Sequence, residues 1–202
     1  MIAIIDYGAG NLFSVKNALD YIGYDSVITN DPIEIERADE LILPGVGAFP
    51  DAMKKLKRSG MAEILPFQAK KKPLLGICLG MQALFETGYE FEETRGLGLI
   101  PGTVSKIVFD GGISYKLPHI GWNQLEITQD SPLLKGISSG DCVYFVHSFA
   151  AHTPEKYLAA YCDYGTKVTA FVQHGLVFGA QFHPEKSGEV GLTILKNFGG
   201  LV

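Results

Sequence analysis

The sequence predicts an α/β protein with a doubly wound, mostly parallel sheet and an added antiparallel section. In its first half, short apolar, β-branched runs alternate with stretches at helical spacing. In its second half, strand-like runs follow one another across glycine-containing turns, with almost no helical periodicity. The 202 residues are 47% hydrophobic and 19% charged, which excludes a disordered tail or a charge-rich coiled coil. A chain of this length buries roughly 70% of its unfolded surface and needs no disulfide or metal staple.

Ile2 to Ile5 reads as the first strand and ends at Asp6. The Gly-rich turn Tyr7-Gly-Ala-Gly-Asn11 follows, with Asn11 as candidate N-cap of a helix carrying Leu12, Val15, Leu19 and Ile22 on one face, stopped by Gly23. Ser26 to Thr29 and Glu40 to Leu43 are the next strands, and Pro44-Gly45-Val46-Gly47 follows the latter. A helix is expected from about Pro50, with Met53 and Leu56 inward, and another from Met61 to Lys71, closed by Pro73. Leu74 to Cys78 is a buried strand, and Met81 to Glu86 is helix-compatible. Beyond it, Thr103 to Phe109, Gln124 to Thr128, Cys142 to His147, Lys156 to Cys162, Val168 to Gln173 and Leu176 to Gln181 are strand-like. Asp110-Gly-Gly112 and His174-Gly175 supply hairpin turns, and Val190 to Phe198 is the last helix. No linker, repeat or low-complexity stretch divides the chain, so residues 1–202 read as one domain.

Seventeen Lys plus Arg against 22 Asp plus Glu give a net charge of −5, which argues against nucleic acid as a main partner. The cluster Lys54, Lys55, Lys57 and Arg58 reads as a solvated helix face, with a docking patch as the alternative. Cys78, Cys142 and Cys162 form neither a disulfide framework nor a C-x-x-C pair, which points to a reducing interior. The amino terminus lacks the basic region of a signal peptide, and no apolar run approaches the roughly 20 residues of a membrane span. A cytoplasmic location is the expectation. No spacing of His, Cys or acid residues suggests a metal site, and no cofactor is expected.

Gly76-Ile-Cys78-Leu-Gly80 carries the chemistry. A nucleophile flanked by glycines at minus two and plus two, between a strand and a helix, is a nucleophile elbow. Both glycines are needed because neighbouring backbone approaches closely in so sharp a turn. The sulfur then sits at a helix N-terminus, where free amides favour thiolate. Taken alone, the pentapeptide equally describes a buried structural cysteine. His183-Pro184-Glu185 adds a base and an orienter, since residues two apart in an extended segment point to one side. Together they supply nucleophile, base and carboxylate for acyl transfer. Leu79 N–H is one natural oxyanion donor, and Gly45, Val46 and Gly47 offer others, although that loop also fits an ordinary strand-to-helix turn. Cys142 and Cys162 are left as packing. His119 and His147 have no carboxylate two or three residues away and gain no assigned role. Trp122 reads as a core or interface anchor.

Gly76-Ile-Cys78-Leu-Gly80-Met-Gln82 with Gln181-Phe-His183-Pro-Glu185-Lys-Ser187 resembles the class I, triad-type glutamine amidotransferases. Ile5-Asp-Tyr-Gly8-Ala-Gly-Asn11-Leu, Leu43-Pro-Gly-Val-Gly47, Pro118-His-Ile-Gly-Trp122-Asn123 and Tyr144-Phe-Val-His-Ser148 extend the likeness over Met1 to about Leu195 and to the members that serve histidine biosynthesis. The resemblance implies a flavodoxin-like sheet and a Cys78, His183, Glu185 triad. It further implies glutamine hydrolysis through a γ-glutamyl thioester and delivery of ammonia to a separate (β/α)₈-barrel cyclase subunit in a heterodimer. It assigns substrate binding to Gln82, Ser148 and Phe149, the oxyanion strand to Pro44–Gly47, and the subunit interface to segments holding Asn11, Trp122 and Asn123. The alternatives are the amidotransferase subunit of anthranilate or aminodeoxychorismate synthase and a stand-alone Cys hydrolase. Gln82, one turn after the nucleophile, favours a small amino-acid substrate over a peptide. With no evident second domain in which to use ammonia, the size itself argues for a partner.

Overall fold

The computed structural model describes residues 1–109 and 115–202. The chain opens with β1 (Ile2–Ile5), α1 (Leu12–Tyr21), β2 (Ser26–Thr29), α2 (Pro32–Arg37), β3 (Glu40–Gly45), α3 (Phe49–Arg58), α4 (Met61–Gln68), β4 (Leu74–Cys78) and α5 (Leu79–Ala83). Then follow β5 (Phe85–Gly88), β6 (Thr94–Arg95), β7 (Ile100–Lys106), β8 (His119–Gln124), β9 (Glu126–Ile127), β10 (Cys142–His147) and β11 (Phe149–His152). Last are β12 (Leu158–Asp163), β13 (Lys167–His174), β14 (Val177–Ala180) and α6 (Gly188–Gly199).

The central sheet runs β2-β1-β3-β4-β14-β13-β12-β9. From β2 to β14 neighbours are parallel. From β14 to β9 they are antiparallel, so β14 joins the two halves that the sequence separates. Successive side chains face opposite ways in a strand. Ile2 and Ile4 pack with Val15 and Leu19 of α1 and Ile194, Leu195 and Phe198 of α6. Ala3 and Ile5 pack with Ile35 of α2, Met53 and Leu56 of α3 and Leu65 of α4. Helices therefore cover both faces, and each fully buried Leu or Ile contributes roughly 1.5–3 kcal/mol. The order also sets the location of the cleft: β1 leads outward to β2 on one side and β3 on the other, and ligands in such sheets bind beyond the carboxyl ends of the strands.

Two smaller sheets lie outside this frame, β11-β7-β5-β6 and the antiparallel ribbon β8-β10. Several elements differ from the sequence expectation. Met81 to Glu86 does not continue as helix: α5 ends at Ala83 and Phe85 starts β5, which pairs with β6 and β7. Gly88 allows this, since a Cβ there would lie 2.5 Å from the Phe49 ring. The strand expected at Thr103 to Phe109 runs three residues earlier, and that at Gln124 to Thr128 is reduced to Glu126–Ile127, with β8 before it. α4 stops at Gln68, whose carbonyl receives the Lys71 and Lys72 amides in a turn. Glu155–Tyr157 forms a 3₁₀ turn before β12, and α2 was not anticipated. Asn11 stands at the N-cap of α1 but its side chain makes no capping bond. Cys142 is exposed and so is no packing residue, whereas Cys162 is buried and its thiol is pushed up to about 12, first by burial and then by Asp163. Lys54, Lys55, Lys57 and Arg58 are exposed, as a solvated face requires. The Asp110–Gly112 turn lies outside the described residues. Among the described residues no helix is long and apolar enough to cross a membrane.

Candidate active site

The elbow forms where β4 meets α5. Cys78 sits at φ 54°, ψ −112°, a left-handed conformation that L residues adopt only under constraint. The constraint is close packing of backbone. A Cβ on Gly80 would lie 1.8 Å from the Leu43 carbonyl oxygen, and one on Gly76 would lie 2.7 Å from Met81 Cα. Gly45, paired with Cys78 between β3 and β4, is as tight, with its hypothetical Cβ 2.6 Å from the Gly80 amide nitrogen. Gly45 and Gly80 of the elbow are thus two sides of one contact.

Cys78 and His183 line one cleft of about 340 Å³, together with Val46, Gly47, Leu79, Gln82, Ser148 and Phe149. His183 follows β14 and its Nδ1–H donates to Glu185 Oε1 at 2.8 Å, both side chains being buried. The pairing arises in a different way from the extended segment expected. Pro184–Lys186 is a 3₁₀ turn, and its curl brings Glu185 back onto His183. Ser187 fixes that turn: its hydroxyl donates to the His183 carbonyl at 2.6 Å and accepts the Tyr144 amide at 3.0 Å. His183 Nε2 and Glu185 Oε2 are buried with no hydrogen-bond partner. Unpaired buried polar atoms are costly, and their concentration at one place marks a site poised for a ligand or proton. Burial alone would lower the His183 pKa; the Cys78 thiol and Glu185 outweigh it and raise the pKa to about 9. Both groups line the one cleft, but Nε2 makes no hydrogen bond of regular geometry to the thiol.

The thiol itself is held by Gln181 Nε2–H at 3.8 Å and faces the Val146 carbonyl at 4.0 Å. Gln82 Nε2 donates to Phe149 O and to Gln181 Oε1, each at 3.0 Å. Both amide protons are spent, so Gln82 Oε1 is the atom with capacity left, an acceptor suited to an ammonium group. Sequence reasoning missed three contributors. Glu90 lines the cleft, 12 residues after Cys78, while its Oε2 accepts the Phe49 amide at 2.8 Å and so caps α3 from afar. It is the only carboxylate among the cleft-lining side chains of the described residues. Gln181 was quoted within a motif without a role. Tyr7, buried after β1, has its phenol held above the usual range, first by burial and then by its electrostatic interaction with Cys78. Of the three, Glu90 lines the cleft, Gln181 reaches the Cys78 sulfur, and the Tyr7 hydroxyl lies against Gly45.

The expected interface residues behave unequally. Trp122 is 56% exposed on β8, its ring edge-on to Tyr144. Asn123 turns inward, donating to the Asp163 carbonyl at 2.8 Å. Asn11 lies at the start of α1, outside the cleft.

A buried Cys, His and Glu gathered at the strand ends of a doubly wound sheet is the frame of a thiol acyl transferase or hydrolase. Residues 3–200 match the family model of the class-I glutamine amidotransferases, and the chain belongs to that family. It is 52% identical over its whole length to the Bacillus cereus imidazole glycerol phosphate synthase subunit HisH, covering 95% of that protein. It is likewise 52% identical to the HisH subunit of Caldanaerobacter subterraneus subsp. tengcongensis, covering 98% of it. Among solved structures, one described as a glutamine amidotransferase aligns with 98% of this chain and all of its own at TM-score 0.75 and 20% identity. PurLQS from Thermotoga maritima aligns with 98% of this chain and 96% of its own at TM-score 0.72 and 20% identity. At those identities the two structures show the shared fold alone.

Proposed function

We propose that this chain is the glutaminase subunit of an imidazole glycerol phosphate synthase, acting as one domain over residues 1–202. The observation that carries the chemistry is that Cys78 and His183 line one cleft, with Glu185 bonded to His183 from behind. Whole-chain identity to the HisH subunits supports the particular member of the family.

In this reading His183 Nε2 takes the Cys78 proton, while Glu185 holds Nδ1–H and stabilises the imidazolium. The thiolate attacks the side-chain carboxamide carbon of glutamine. The oxyanion is received by the Leu79 amide and by backbone of Gly45, Val46 and Gly47, supplied by the next strand over. As the tetrahedral intermediate collapses, His183 returns the proton to the leaving nitrogen. Ammonia departs and a γ-glutamyl thioester remains on Cys78. Water, deprotonated by His183, attacks that carbonyl, and the thiolate leaves with glutamate as product. Gln82 Oε1 and the Glu90 carboxylate hold the α-ammonium, and Ser148 and the Phe149 backbone hold the remainder of the amino-acid end.

Ammonia passes to a (β/α)₈-barrel cyclase subunit. There it reacts with a phosphoribulosyl formimino-AICAR nucleotide to give imidazole glycerol phosphate and AICAR in the histidine pathway. The heterodimer would be cytoplasmic. Exposed Ile120 and Trp122 on β8, and exposed Phe13 next to the Asn11 segment, supply apolar surface for such an interface. The test is glutamine turnover by the purified chain, alone and with the cyclase and its nucleotide. A large ligand-dependent rise in rate is expected; equal rates in all conditions would refute coupling.

A further inference from the structure

Two buried histidines outside the triad are joined in a directed chain. His147 closes β10 and pairs with His119 of β8 across the ribbon. His147 Nδ1 lies 2.8 Å from the Phe149 carbonyl, which can only accept, so Nδ1 carries the proton, and in the neutral ring that burial favours Nε2 is the acceptor. His119 Nδ1 lies 3.2 Å from that Nε2 and must therefore donate to it. His119 Nε2 is left as acceptor toward Asn123 Nδ2 at 3.4 Å. Every step runs in one direction, and both rings are neutral. Burial holds both histidines down to about 4, with the carbonyl of Phe149 opposing it at His147. The His119 ring is clamped between Phe145 and Tyr164, at centroid distances of 4.7 and 3.9 Å.

The chain ends on the atom that orients the substrate wall. The Phe149 carbonyl has two lone pairs; His147 takes one and Gln82 Nε2 takes the other. A Gln82 amide with its NH₂ directed there keeps Oε1 as its remaining acceptor. A flipped amide would offer NH₂ to the substrate ammonium and set two oxygens against each other.

We infer that His119 and His147 are positioning residues for substrate recognition: acting through the Phe149 carbonyl, they fix the Gln82 amide so that the cleft accepts the α-ammonium end of an amino acid. This rests on the glutaminase reading, and the test separates the two. Cys78 is alkylated in the complete chain with two reagents, a chloroketone analogue of glutamine that requires the amino-acid subsite and iodoacetamide that requires only the thiol. If the analogue gives the wild-type chain no advantage over iodoacetamide, the glutamine reading fails. If the advantage is present, the His119 variants decide. His119→Phe keeps a ring in the clamp but removes the donor, and should lower the analogue rate about tenfold with little change in the iodoacetamide rate. His119→Asn loses the ring but can place an amide donor near the Nδ1 position, and should recover part of the analogue rate. The opposite order, with Phe close to wild type and Asn impaired, would mean a packing role and overturn the proposal. Independently of any variant, imidazole ¹⁵N spectra of the wild-type chain near pH 7 should show both rings neutral with the proton on Nδ1. An Nε2–H tautomer at His147 would refute the chain even if the variants fail to fold.

Discussion

Cys78 is held at a backbone conformation that only glycine adopts without strain, φ 54° and ψ −112°, and this makes a stability prediction that separates backbone from side chain. Cys78→Ala and Cys78→Gly both delete the sulfur, and both should abolish turnover. They differ only at Cβ. Strain of this kind costs about 1–3 kcal/mol, and glycine relieves it. Glycine also returns about 0.4–1 kcal/mol to the unfolded chain as extra conformational freedom. Cys78→Gly should therefore be more stable than Cys78→Ala by about 1 kcal/mol, up to about 2. At an ordinary buried strand end the sign is reversed, with glycine the less stable by about 0.5–1 kcal/mol. For a chain of this size, 1 kcal/mol moves the melting midpoint by roughly 2–4 °C. Parallel urea and thermal melts without ligand measure the difference. A glycine variant equal to or less stable than the alanine variant would refute strain at the elbow.

Gly80→Ala should cost 3 kcal/mol or more, above the usual range of about 1–3 for overpacking, because the new Cβ would meet Leu43 O at 1.8 Å. Gly47→Ala, with positive φ but open space around it, should cost only roughly 1–2 kcal/mol; denaturant midpoints compare them. Glu185→Gln removes the partner that helps hold the His183 pKa at about 9 against its ordinary 6.5. A raised pKa contributes stability that is complete below 6.5 and lost as pH rises through about 9, so the advantage of the wild type over Glu185→Gln should shrink across that window. An advantage that grew with pH would contradict the pairing. Glu90→Gln keeps an acceptor for the Phe49 amide but loses the charge, and should raise KM for glutamine about tenfold with a smaller change in kcat. An unchanged KM would remove Glu90 from the ammonium subsite.

The gathering of Cys78, His183 and Glu185, the proposed triad, was legible because the three lie in short motifs whose backbone demands are local. Gly76 and Gly80 mark the elbow, and His183 and Glu185 are near neighbours, although a 3₁₀ turn rather than an extended segment unites them. The parallel half of the sheet was legible for the same reason: Ile2–Ile5 and Leu74–Cys78 are apolar on both faces. β8 was not, because its pattern is inverted. His119 points inward while Ile120 and Trp122 face solvent, which defeats any reading by hydrophobic alternation. β5 was concealed by helix-compatible residues that tertiary pairing overrides. Glu90 and His147 line the cleft, with His119 behind His147, and nothing around them in the chain announces it.

The central claim is that Cys78 carries the γ-glutamyl group during turnover. The most direct measurement is mass analysis of the chain quenched during glutamine hydrolysis in complex with the cyclase and its nucleotide, followed by peptide mapping. A glutamyl adduct on the peptide containing Cys78, absent from Cys78→Ala, is the expected result. An adduct at another residue, or glutamine hydrolysis by Cys78→Ala at the wild-type rate, would contradict it.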